Sequence, residues 1–143
     1  MTDNTVVDSG LVVKWFVPEH DSAQANLIYD AYQKGFIELL APDLIYAEFG
    51  NIIWKKRLFQ NLSETNCDAA IALFQKINFK ITPTSNLFDE TFQIAVKYKR
   101  TFYDSLYLAL SVKENCEFVT ADEKFYNSVR KFFPKIILLA NWH

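Results

Sequence analysis

The chain has 143 residues, half of them hydrophobic, and a formal net charge of -2. That length and composition suit one compact domain with a sizeable core and exclude a disordered polypeptide. The charge balance lacks the footprint of a strongly basic nucleic-acid-binding domain, so contact with a polyanion has to be local.

Three Gly and four Pro leave little room for flexible linkers. No repeat or shift in composition divides the chain, so residues 1–143 read as one domain. The N-terminal MTDNTVVDSG lacks the basic and apolar segments of a signal peptide, and no apolar run approaches the roughly 20 residues of a membrane span. A cytoplasmic protein is expected. Cys67 and Cys116 have no nearby Cys or His pattern and read as two buried thiols.

In chain order, short β-prone runs occur at TVV (5–7), IELLA (37–41), FKIT (79–82), EFVT (117–120) and KIILL (135–139). An aromatic-rich helix with Trp15 and Phe16 follows the first run. Longer amphipathic stretches span 21–34, 42–59, 63–77, 86–99, 103–114 and 122–133. Strands alternating with helices predict an α/β sandwich with a mainly parallel sheet, whose ligand sites lie beyond the carboxyl ends of the strands.

Four acids stand out against this pattern. Asp8 and Asp122 follow the first and fourth predicted strands, where both could also cap helices; Ser9 is able to cap the first helix by itself. Glu48 lies within or beside a helical stripe of Leu44, Ile45 and Ile52, and burial there demands a partner or a cleft; the plainer reading sets it on the stripe's margin, reaching water or pairing with Lys55 or Lys56. Asp104 shares a face with Tyr107, Leu108 and Ser111 and has Arg100 as an alternative partner. If these acids converge on one edge, their repulsion raises their pKa values and calls for a hard divalent cation, Mg²⁺ or Mn²⁺, which can also orient phosphate and activate water.

Other chemistries fit less well. His20 and His143 lie in a polar loop and at the C-terminus, and there is no phosphate-cradling GxxxxGK[ST] loop or nucleophile elbow. Basic residues cluster at KKR (55–57), KYKR (97–100) and Arg130, Lys131 and Lys135; together they would form a phosphate-tracking rim if the fold gathered them.

VVDSGLVVKWFVPE, APDLIYAEFGNIIWK, FYDSLYLALS and FVTADEKF follow one another in the order, and near the spacing, of the four acidic motifs of PIN-domain ribonucleases, especially VapC-type bacterial toxins, which this chain resembles from Asp8 to about Phe125. The resemblance implies a three-layer PIN-like fold with a five-stranded sheet. It makes Asp8, Glu48, Asp104 and Asp122 metal-binding catalytic acids, with Ser9 or Thr120 assisting through a hydroxyl. It further implies Mg²⁺- or Mn²⁺-dependent cleavage of RNA, a homodimer and a small inhibitory antitoxin. Gly10 departs from the expected larger residue, and Glu123 leaves open which member of the Asp122–Glu123 pair faces the site. Apolar docking for a partner is sought at Trp15 and Phe16 or at IIWKKRLF, with Trp54 and Phe59, while core packing or a homodimer seam is the ordinary role for any one of them.

A receiver or dehalogenase-like phosphatase also sets Asp at strand ends, but it wants an acidic pair or DxD where this chain has Asp8-Ser9-Gly10. A housekeeping RNA-processing nuclease and a non-catalytic RNA-binding protein of the same fold are the remaining alternatives.

Overall fold

The structure, a computed structural model, describes residues 2–142; His143 lies outside them. Five strands, β1 (Asp3–Val7), β2 (Ile37–Pro42), β3 (Lys80–Thr82), β4 (Glu117–Thr120) and β5 (Ile136–Leu138), form one sheet in the order β3-β2-β1-β4-β5. Every pairing is parallel, with Thr5 of β1 opposite both Leu39 of β2 and Glu117 of β4.

Seven α-helices connect them: α1 (Ser9–Phe16), α2 (Ser22–Gln33), α3 (Leu44–Phe59), α4 (Glu64–Gln75), α5 (Phe88–Tyr98), α6 (Phe102–Glu114) and α7 (Glu123–Val129). Short 3₁₀ turns lie at Thr84–Asn86 and Leu139–Asn141. The last helix stops at Val129, short of the expected 133. Val129 O accepts from both Phe132 and Phe133 N–H, and Pro134 disfavours helical backbone at the residue before it.

Alternation along β1 divides the core. Val7, with Leu39, Ala41 and Val119, packs against α1 to α4, where Leu11, Ile28, Ile45, Phe49 and Phe74 are buried. Val6, with Leu40, Phe118 and Ile136, faces Leu106, Leu110, Phe125 and Val129 on the opposite side. Helices on both faces of a parallel sheet make the three-layer α/β/α sandwich.

Trp15 and Phe16 belong to the first core cluster. Trp15 stacks obliquely on Tyr29, and its Nε1–H donates to Ala25 O at 2.7 Å, which removes this pair as an open docking surface. Trp54 and Phe59 are exposed and meet edge to face, with centroids 5.8 Å apart. Cys67 and Cys116 are buried free thiols. Among the described residues no helix is long and apolar enough to cross a membrane.

The central strand β1 has β2 on one side and β4 on the other. The chain leaves β1 in one direction and reaches β4 in the other, so a crevice opens beyond their carboxyl ends. The packing that holds this crevice can be tested away from it. Phe49 is fully buried and stacks on Phe74, so Phe49→Ala is expected to cost about 3–5 kcal/mol in a urea unfolding titration; a loss below about 1 kcal/mol would contradict this core assignment.

Candidate active site in the acidic cleft

Asp8 starts the site where β1 ends. Its backbone is extended, with φ -96° and ψ 170°, and Oδ1 accepts from Leu11 N–H at 2.9 Å, making Asp8 the N-cap of α1. Of the two roles open to Ser9, helix cap or hydroxyl beside the acids, the structure gives it the second. A capping side chain comes from the last non-helical residue, and Ser9 is already the first helical one. Ser9 is buried and its Oγ donates to Glu48 Oε1 at 3.3 Å.

Thr120, the fully buried last residue of β4, joins the two strand ends. Its Oγ1 donates to Asp8 Oδ2 at 2.6 Å and accepts from Asp122 N–H at 3.0 Å. Asp122 caps α7, with Oδ1 accepting from Phe125 N–H at 3.0 Å; Asp122 and Glu123 are both exposed, but only Asp122 lines the cleft.

Glu48 stands on α3 beside its buried face rather than in the middle of it. The residues turned inward are Ile45, Phe49, Ile53 and Lys56, a stripe rotated from the expected Leu44, Ile45 and Ile52 set. Half-buried Glu48 receives a hydrogen bond at Oε1 from the hydroxyl of nearly buried Tyr107 on α6. Neither Lys55 nor Lys56 pairs with it, because the Lys56 ammonium contacts Glu19.

Asp104, one turn before Tyr107, is half-buried at the same cleft. Thr101 caps its helix by accepting from Asp104 N–H at 3.0 Å. Arg100 does not pair with Asp104; its guanidinium lies 5.7 Å from the centroid of the Phe125 ring. Asp43, another acid after a strand, is committed elsewhere: its Oδ1 accepts from Thr84 N–H and Oγ1, tying the start of α3 to the turn after β3.

Asp8, Glu48, Asp104 and Asp122 thus line one open cleft of about 400 Å³, together with Ser9, Gly10, Lys14, Glu19, Tyr107 and Thr120. Gly10 lines the cleft without being required there by space, since a Cβ would meet only Asp8 Oδ1, at an ordinary 3.8 Å. Tyr107, Lys14 and Glu19 were not singled out as functional by the sequence. Tyr107 carried a signal, a hydroxyl three residues after Asp104 on the same helical face, whereas Lys14 and Glu19 stand out only once α1 is folded against the acids.

Burial is the largest influence on Asp8 and pushes its carboxyl up to about 6; hydrogen bonds from Thr120 and Leu11 oppose this, and the Glu48 and Asp122 charges add to it. Burial also raises Glu48, against its bonds from Tyr107 and Ser9 and with help from Asp104. Tyr107 is raised by burial and by the adjacent Glu48 carboxylate, so it remains a donor.

Among the described residues, none of the four acids lies within ion-pair distance of a Lys or Arg. No three His, Cys, Asp or Glu side chains among those residues converge into a ready cage for a metal ion, in keeping with repulsion between like charges. The donor set nevertheless fits a hard divalent cation, which commonly takes one or two carboxylates and keeps water in its other positions. Glu48 Oε2, Asp122 Oδ2 and both Asp104 oxygens have no protein hydrogen-bond donor among the described residues.

Three members of the basic runs are committed elsewhere than a rim: Lys56 turns inward to Glu19, Arg130 lies over Tyr126, and Lys135 binds Asn115 at the amino-terminal edge of the sheet, away from the acids.

A parallel α/β sandwich with acids at its central strand ends defines the class, and the profile of the PIN domain matches residues 5–130. The chain belongs to the PIN domain family. It is 29% identical over 135 residues to Ribonuclease VapC3 of Pyrobaculum aerophilum, covering 92% of this chain and 96% of that protein. The crystal structure of PAE2754 from the same organism superposes with a TM-score of 0.69 at 22% identity, over 98% of this chain and 93% of that one. A chain of a toxin-antitoxin complex from Klebsiella pneumoniae shares the fold with a TM-score of 0.61 at 14% identity, over 94% and 97% of the two chains.

The raised Asp8 carboxyl has a consequence for stability in EDTA. The native state holds the Asp8 proton more tightly than the unfolded chain between the ordinary 3.8 and about 6, so this group's contribution makes stability fall as pH rises through that window. Asn at position 8 keeps a capping oxygen and removes the charge. Asp8→Asn is therefore expected to melt roughly 2–6 °C above wild type at neutral pH and to lose that advantage near the lower end of the window. A variant that melts well below wild type in EDTA at neutral pH would assign Asp8 a purely structural role.

Proposed function

We propose that this chain is a Mg²⁺- or Mn²⁺-dependent endoribonuclease of the VapC type, hydrolysing RNA phosphodiester bonds, and the toxin of a toxin-antitoxin pair. One observation carries the reading: four carboxylates line a single cleft with no basic partner of their own among the described residues. The likeness to Ribonuclease VapC3 along nearly the whole chain supports RNA as substrate.

Asp8, Glu48, Asp104 and Asp122 are the residues that would hold the cation. When bound, that ion supplies charge neutralisation at a phosphate and a more acidic water for in-line attack. The chain's own contribution is positioning. Leu11 N–H and Thr120 fix the two oxygens of Asp8, while Ser9 and Tyr107 both engage Glu48 Oε1 and leave Oε2 open to the cleft. Asp104 and Asp122, each standing in the first turn or at the cap of a helix, complete the oxygen-rich wall.

Asp8→Asn and Asp104→Asn are expected to lower RNA cleavage by at least about 100-fold while leaving a cooperative melt. Mg²⁺ or Mn²⁺ at 100 times its dissociation constant should stabilise wild type by about 2.7 kcal/mol, and the double variant far less. An equal thermal response to metal in the two proteins would remove the cation from this cleft.

The toxin assignment implies a small partner that covers the cleft, aims an Arg or Lys at the carboxylates and lays apolar residues on exposed surface such as Trp54 and Phe59. Expression of wild type without that partner should arrest growth, while Asp8→Asn is tolerated. Harmless expression of a protein that cleaves RNA in vitro would favour a housekeeping RNA-processing nuclease.

A further inference from the structure

Only one basic side chain among the described residues lines the acidic cleft, and it does not touch the acids. Lys14 stands on α1 four residues after Gly10, so both turn toward the cavity. Its side chain is 13% exposed, with Nζ donating to His20 O at 2.7 Å and standing 3.5 Å from Glu19 Oε1. Glu19 also serves Lys56, whose ammonium makes the closer contact at Oε2. Two ammonium groups share one carboxylate, so Glu19 does not match the charge of Lys14 by itself. The His20 carbonyl satisfies a donor without neutralising it. An ammonium in the cleft lining that shares its only carboxylate partner has room for a further charged acceptor, and a phosphate oxygen is one.

We infer that Lys14 is the phosphate-contacting cation of this cleft, its ammonium engaging a non-bridging oxygen of an RNA strand laid across the acids, with Glu19 as the residue that aims it. The inference rests on the ribonuclease reading. The four acids present cation-binding oxygens at one part of the cavity, and Lys14 presents the complementary charge for the strand at another. A structural lysine tying down the loop before α2 would use the same two contacts, but it would carry no signature in the salt dependence of RNA binding.

That signature is the test. Binding of a fluorescein-labelled single-stranded RNA of mixed sequence is titrated over a range of KCl in the Asp104→Asn background with Mg²⁺, so that the RNA stays whole. Each phosphate contact to a single strand contributes about 0.7 to the slope of log K against log salt. Lys14→Met should lower the slope by about that amount and weaken binding several-fold at low salt. Lys14→Arg should retain the slope, and Lys135→Met, at the opposite edge of the sheet, should leave it unchanged. If Lys14→Met does not fold, Lys14→Gln reads the same slope, since it can still donate to the His20 carbonyl without a charge. A slope unchanged in the neutral variants, an equal loss in Lys135→Met, or no RNA binding by the parent at low salt overturns the inference. Failure of the ribonuclease reading is separate: it is the absence of RNA cleavage by wild type with Mg²⁺ or Mn²⁺.

Discussion

Thr120 is the small residue on which the geometry of the cleft turns. A single buried hydroxyl donates to Asp8 from one strand end and accepts from the Asp122 backbone at the next, so it fixes the distance between two acids that would otherwise repel. No cation does this work among the described residues. The carboxylates are held by neutral donors alone: a helix N–H and Thr120 on Asp8, Tyr107 and Ser9 on Glu48, and the first free N–H of α7 on Asp122. Neutral donors orient a carboxylate and leave its charge for something else.

The sheet makes that arrangement available. Because β1 and β4 are adjacent and parallel, their carboxyl ends open side by side, and α1 and α7 both start there with Asp as N-cap. The N-terminal ends of two helices favour negative charge locally, which eases the gathering of acids at this edge. Helices α3 and α6 approach from opposite faces of the sheet to deliver Glu48 and Asp104. Tyr107 joins them: it stacks on Phe118 of β4 and reaches across the crevice to Glu48. The acidic cleft is therefore shaped by the same packing that builds the two halves of the core.

Some of this was legible in the residues themselves. Alternating β-prone and amphipathic runs produced five strands and the parallel sandwich, with errors at the ends. The stretch 122–133 overran because the turn after Val129 and the effect of Pro134 are decided by a few backbone bonds rather than by periodicity. On α3 the apolar pattern left Glu48 either within the stripe or beside it, and packing, which rotated the stripe, put it on the margin. The four acids were visible as carboxylates at costly or strand-end positions. Asp43 occupies an equally suggestive strand end, and only its bonds to Thr84 show that its carboxylate is already engaged.

What the sequence determined by itself is the set of local rules: where apolar period 2 gives way to period 3.6, which residues can cap a helix, and which acids stand at strand ends or on apolar helix faces. Those rules depend on neighbours a few positions apart. The strand order, the choice of Asp8 over Ser9 as cap, the turn of Asp122 rather than Glu123 toward the cleft, the Tyr107 bond to Glu48 and the sharing of Glu19 by Lys14 and Lys56 were decided by the tertiary structure. Apart from the cap and the direction of Asp122, each joins residues far apart in the chain, and such contacts depend on how two faces of a sheet are covered. Side-chain direction at a strand-helix junction follows a difference of one backbone dihedral, which no composition or spacing encodes.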